Sequence, residues 1–210
     1  LDVEAASIKR LNRFIAIRIA KVIAKYTSIT PNQITIFLAL SVFFIAWLFY
    51  KGTYISVAVA GILTWLHFMF DAVDGSLARI KGINSHGYGR WLDHATGEFG
   101  RIILFLGITL GVYAKTQSSL YLTLGYLAIT AYLFFTILVA FLNAFPFSSE
   151  IIESEKSKRG FLKNFYLTDP LVPGVILISA LFNKLEWGLI FFAVYGWVFS
   201  LVAFFMITKK

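Results

Sequence analysis

Residues 70–79 read FDAVDGSLAR and close an uncharged run that starts at residue 54. Asp71 and Asp74 are three apart, so on a helix they project within about 60° of each other and share a face. Gly75 and Ala78 carry almost no side chain, which lets a backbone or a ligand come close beside the carboxylates. Arg79 places a cation just beyond them. The glycine-containing stretch IKGINSHGYGR can turn the chain back, and the next apolar run opens with WLDHATGEFGR, bringing Asp93 to the depth of the first pair. Anions at an apolar border repel one another and are costly unless compensated. Two chemistries would compensate them. One is ion pairing with Arg79, Arg90 and Arg101; the other is binding of hard divalent cations, which take oxygen ligands and keep waters and phosphate oxygens in their shells. Spacing alone leaves both open.

The elements that must position these groups are apolar. The chain has 210 residues, 59% of them hydrophobic and 18% aromatic, with a mean hydropathy of +0.77, which excludes an ordinary soluble domain. Runs near the length needed to cross a bilayer lie at 32–50, 54–79, 91–113, 120–145, 170–182 and 187–208, the fifth being the shortest. The expected fold is an all-α integral membrane protein of six transmembrane helices. With no cysteine in the chain, disulfides and thiolate metal sites are excluded. The net charge of +8 belongs to residues flanking the apolar runs, where they set topology and meet anionic head groups, so no nucleic-acid partner is expected. Of the 19 lysines and arginines, all but Lys51, Lys115 and Lys184 fall on one side of the six-span plan. That side, with both termini and the carboxylates, is expected to be cytoplasmic.

Before the first span, Ile8, Leu11, Ile15, Ile19, Val22 and Ile23 recur at helical spacing, with Lys9, Arg13, Lys21 and Lys25 on other faces. Residues 1–29 therefore read as an amphipathic helix in the bilayer interface, and 30–210 as the membrane domain. Thr30-Pro31 offers a cap with proline in the first helical turn. The stretch 148–164, SSEIIESEKSKRGFLKN, is charged with mixed sign and reads as a solvated connector. The glycines and aromatics of the spans are consistent with a homodimer.

The acidic motif resembles that of the CDP-alcohol phosphotransferase (phosphatidyltransferase) family, D-x2-D-G-x2-A-R followed after a loop by G-x3-D-x3-D. Asp71, Asp74, Gly75, Ala78 and Arg79 match the first part, and Gly89 and Asp93 the second. ITPNQIT, containing Asn32, resembles the start of the family's first span. The loop to Gly89 is one residue longer than the pattern, and the fourth aspartate falls at position 97, which is glycine. Glu98 stands next to it, but five residues past Asp93 it is turned about 140° from the shared face unless a π-bulge intervenes.

The resemblance implies a magnesium- or manganese-dependent transferase. A CDP-linked donor lies with its diphosphate on two divalent ions held by Asp71, Asp74 and Asp93, and an acceptor hydroxyl displaces CMP. Gly75, Ala78 and Gly89 leave room for the nucleotide, with Asn32 or Arg79 beside it. The fourth aspartate is the family's candidate for general base. Its absence leaves Asp93, Glu98 and His94 as candidate catalytic groups, with His67, four residues before Asp71, and His86 as further substitutes. The N-terminal stretch resembles the junction that in some relatives joins an upstream soluble nucleotidyltransferase domain, pointing to an inositol-phosphate type of product. A phosphorylated polar acceptor near Arg159, Lys163 and Asp169 competes with a phospholipid-forming reaction. Two rival readings are a nucleotide-binding relative impaired in catalysis and a membrane transporter, whose site would lie nearer the midplane.

Overall fold

The computed structural model describes residues 2–83, 87–144 and 171–208. These form seven helices: α1 (Asp2–Tyr26), α2 (Pro31–Lys51), α3 (Tyr54–Ile80), α4 (Tyr88–Thr116), α5 (Ser119–Ala144), α6 (Leu171–Leu181) and α7 (Leu185–Thr208). No strand occurs among the described residues. Five helices are long and apolar enough to cross a bilayer, and α6 is a shorter apolar helix of 11 residues, about 17 Å of helix. The residues that lead into α6, with the charged connector, Arg159, Lys163 and Asp169, lie outside the described residues, as does His86. Large apolar side chains such as Phe37, Leu40, Ile55 and Phe182 point outward, as lipid-facing residues of a multi-pass membrane protein do.

Local sequence sets the helix ends. Thr30 caps α2 through its hydroxyl, which accepts from the Gln33 amide at 3.3 Å, while the Gln33 side chain accepts from the Thr30 amide at 2.9 Å; Pro31 sits in the first turn. This closes the orphan donors of that end reciprocally. Gly52 ends α2 with φ 67°, a left-handed conformation that a side chain would resist. Thr53 then caps α3, and so α2 and α3 are joined by a tight turn.

Helix α1 does more than lie on a surface. Ala16 and Ala20 are fully buried against Val73 and Leu77 of α3, with Ile19, Ile23 and Ala24 beside them, while Val22 is 57% exposed. The contact face thus combines Ile19 and Ile23 of the bulky stripe with the small residues Ala16 and Ala20, and alanine lets the two backbones approach closely.

In hydrocarbon, helices associate through close packing and hydrogen bonds rather than through burial from water. The main core joins Val42, Ile45 and Phe49 of α2 to Leu104, Phe105 and Ile108 of α4 and to Ile176 and Leu189 of α6 and α7. Helix α2 runs along both α3 and α4, α3 also meets α6, and α5 packs mainly on α7. The α2–α4 seam is closed by glycine. A Cβ on Gly107 would stand 2.6 Å from Ala46 Cα, and one on Gly111 would collide with the Phe49 carbonyl. By contrast, a Cβ on Gly174 would meet only Trp65, at an ordinary 3.7 Å. Gly107→Ala is therefore expected to cost about 1–3 kcal/mol by forcing α2 and α4 apart, while Gly174→Ala leaves stability unchanged or raises it by up to about 1 kcal/mol. Thermal unfolding of the two variants in detergent checks this, and equal losses would contradict the seam.

Candidate functional site

Helices α3 and α4 hardly touch each other among the described residues; α2 lies behind both. The gap between them is a cleft of about 380 Å³ including its opening, floored by Val42 and Ile45 of α2. His67 and Asp71 of α3 line one wall, and Gly97, Gly100 and Arg101 of α4 line the other. Position 97 therefore faces Asp71 across the cleft. Gly100 packs its α-carbon near Val42, where a Cβ would stand at 3.4 Å, and that proximity keeps the α4 wall close to the floor.

One turn toward the helix end, Asp74 is buried at 5% exposure. The Thr35 hydroxyl donates to its Oδ2 at 2.6 Å and the Gly75 amide to its Oδ1 at 2.5 Å. Each carboxylate oxygen can accept a second partner, so these two bonds hold the group in place without filling its coordination capacity. Asp93 is exposed at the start of α4, and it lies close enough to Asp74 for the two carboxylates to repel. Arg101 and His94 act on Asp93 with the opposite sign.

The nucleotide-side residues also gather at this end. The Asn32 Oδ1 of α2 lies 3.2 Å from where a Cβ on Gly89 would be, so Asn32 and Gly89 meet across the α2–α4 seam and a larger residue at 89 would displace the amide. Gly75 is exposed. Arg79 folds back along the same face, its Nε donating to the Gly75 carbonyl at 2.9 Å. Ala78 is buried at 5% exposure, packed into the protein rather than open to a ligand.

Glu98 is not brought to the cleft. Helix α4 runs unbroken, without a π-bulge, and the Glu98 carboxylate turns toward α5. There it accepts from Tyr132 OH in a very short contact, from Thr136 Oγ1 at 3.4 Å and from Arg101 Nη1 at 3.2 Å. His94 stands with its side chain 76% exposed, 4.0 Å from Glu98. His67, in contrast, lines the cleft and contacts Ser41 Oγ through Nδ1 at 3.1 Å.

Thr35 and Tyr132 are the members of this constellation that sequence reading missed. Thr35 is one turn past Asn32 in ITPNQIT, and a hydroxyl residue on the face of the family's marker asparagine is the available signal. Arg101 entered only as an ion-pair partner, although its spacing of eight from Asp93 and four from position 97 puts all three on one helical face.

For divalent cations, the donor chemistry fits: Asp71 and Asp74 of α3 and Asp93 of α4 supply carboxylate oxygens, the ligands hard cations require. Among the described residues no three acidic or histidine side chains stand together as a ready-made cage, so substrate phosphate oxygens and water would have to complete any shell.

Five helices apolar enough to cross a bilayer thus form a membrane domain whose cleft has Asp71 in its wall and Asp74 one turn beyond it, presenting carboxylates near one end. The family model for CDP-alcohol phosphatidyltransferases matches residues 28–207, and the chain belongs to that family, whose reaction transfers a phosphate group from a CDP-alcohol. No curated protein sequence matches the chain.

Because Asp74 is buried, removing its side-chain donor leaves an anion short of a partner. Thr35→Val is expected to lower stability by about 1–3 kcal/mol, and Thr35→Ser to restore most of it. Unfolding midpoints in the absence of nucleotide test this; an unchanged midpoint in Thr35→Val would show that the hydroxyl does not support the carboxylate.

Proposed function

We propose that the protein transfers a substituted phosphate group from a CDP-linked alcohol to the hydroxyl of a second alcohol at the cytoplasmic side of the membrane, releasing CMP, with Asp71, Asp74 and Asp93 holding magnesium or manganese. The observation that best supports this reading is the cleft between α3 and α4 with Asp71 in its wall, in a chain whose residues 28–207 match the family. When bound, divalent cations neutralise the diphosphate and polarise its oxygens toward attack. Asn32, Gly75, Arg79 and Gly89 form the rim that would receive the nucleotide.

In the transfer, the acceptor oxygen forms a bond to the β-phosphorus while the bond from that phosphorus to the bridging oxygen breaks, and CMP departs with the electron pair. The hydroxyl proton needs a destination. Glu98 is engaged with α5, and His94 is turned outward. His67 is better suited. Ser41 Oγ lies 3.1 Å from the His67 Nδ1 and 2.7 Å from the Leu38 carbonyl. A neutral imidazole protonated at Nδ1 would present its Nε2 lone pair from the wall of the cleft beside Asp71. We assign the base role to His67.

The second reading, a nucleotide-binding relative without turnover, is favoured by Gly97, which removes the family's fourth carboxylate from the wall facing Asp71. We favour a phosphorylated polar acceptor over a lipid because Arg159 and Lys163 precede α6 in the sequence.

CDP with Mg²⁺ should raise the unfolding midpoint, by about 2.7 kcal/mol of stabilisation at a hundredfold excess over the dissociation constant, and chelation or Asp93→Asn should remove the shift. Release of CMP from CDP-inositol, CDP-glycerol and CDP-diacylglycerol, measured across an acceptor panel, tests the transfer itself. His67→Gln should keep nucleotide binding and lose about 10²–10⁴ in rate. A silent wild type that gains turnover on Gly97→Asp would establish the impaired reading, and absence of any nucleotide-dependent shift would remove both.

A further inference from the structure

The family pattern places a carboxylate at position 97, on the wall of the cleft. In this chain that position offers no oxygen, and the group nearest to it is a cation. The Arg101 Nη1 atom lies 4.0 Å from where a Cβ at position 97 would begin, and Arg101 lines the same cleft as Gly97 and Asp71. A second divalent ion at this wall would lose its protein ligand and face a guanidinium of like charge, which would repel it.

The guanidinium is held as a built part of the site. Glu98 accepts from Nη1 at 3.2 Å, and the same nitrogen approaches Tyr132 OH at 2.9 Å. Tyr132 is almost fully buried, and Phe68 and Tyr132 rings flank the guanidinium at 5.7 and 5.8 Å. The carboxylate that sequence spacing offers as a replacement for the lost aspartate thus serves another purpose: from the α5 side it fixes the orientation of Arg101. A planar, permanently charged fork in a cleft beside carboxylates is suited to two oxygens of one phosphate.

We propose that Arg101 occupies the place of one of the two divalent cations, so that the site binds a nucleoside diphosphate through a single metal ion on the Asp71, Asp74 and Asp93 side and through the Arg101 guanidinium on the position-97 side. Glu98 and Tyr132 are its positioning residues. This inference rests on the nucleotide site proposed above, and its test separates the two.

The experiment counts bound Mn²⁺ by electron paramagnetic resonance, using the purified membrane protein with saturating CDP, and measures CDP affinity by calorimetry in Mn²⁺. Wild type is expected to bind a single Mn²⁺ per chain. Arg101→Ala should weaken CDP by roughly ten- to a hundredfold, with Arg101→Lys recovering part of the loss. The combined change of Gly97→Asp with Arg101→Ala should take up a second Mn²⁺. Two Mn²⁺ per wild-type chain, or unchanged CDP affinity in Arg101→Ala, would overturn the arginine assignment while leaving the nucleotide site standing. No CDP-dependent Mn²⁺ binding at all would remove both. The wild-type count decides the question even if Arg101→Ala does not fold.

Discussion

Helix α2 is the spine on which the site depends. The carboxylates belong to α3 and α4, yet these helices are held relative to each other through α2 rather than by packing on one another. On one side, the α2–α3 turn is fixed by the left-handed Gly52 and the Thr53 cap, and the Thr35 hydroxyl ties α2 directly to Asp74. On the other, Gly100, Gly107 and Gly111 let α4 lie against the α2 backbone. With both walls attached to one rod, α2 sets the width of the cleft, and the Arg101 guanidinium of α4 reaches across it to 5.7 Å from the Phe68 ring of α3. An open crevice between two spans is costly in a membrane unless the surrounding packing holds it, and here the glycine seam does so.

Polar groups within the bundle are arranged in layers along that spine. At the opening lie Asp74, Asp93, Asn32 and Arg79; Asp71 sits about one turn deeper, and His67 another turn below it, bonded to Ser41. Arg101 reaches the same cleft from α4 and connects it to Glu98, Tyr132 and Thr136 between α4 and α5. Each buried ionic group has a hydrogen-bonding partner on another turn or another helix, the condition under which such groups persist in an apolar bundle. At the far end of the bundle the polar inventory is simpler: Lys115 pairs with Glu186 at 3.1 Å and donates to the Asn183 carbonyl.

Much of this was legible in the amino-acid order. Thr30-Pro31 announced the start of α2, the uncharged run before Asp71 announced α3, and Gly89 with Asp93 announced the return along α4, because caps, apolar length and charge at a border are local signals. The small-residue face of α1 is less legible: the bulky stripe marks an amphipathic helix, whereas docking on α3 also uses Ala16 and Ala20, which such a stripe does not single out. The pairing of Thr35 with Asp74 depends on how α2 rotates against α3, a tertiary fact that no single-helix pattern contains. The same holds for Glu98. Its distance along the helix from Asp93 excluded it from the shared face, but only the position of α5 reveals what it binds instead.

Glycine at position 97 can be understood as one member of a coupled set. A carboxylate there would add a second anion to a cleft whose opposite wall carries Asp71, and it would lie beside Arg101, whose guanidinium it would draw into an ion pair. Such a pair would compete with the Glu98 and Tyr132 contacts that now orient the arginine. With glycine, the wall facing Asp71 has no acidic side chain at position 97, and Arg101 is the charged group of α4 that lines it. The cleft therefore has Asp71 on one wall and Arg101 on the other, across a gap whose width α2 sets. That polarity follows from two residues on one helical face and from the α5 groups that hold one of them, which is why the substitution at 97 is better read together with Arg101, Glu98 and Tyr132 than as the isolated loss of a ligand.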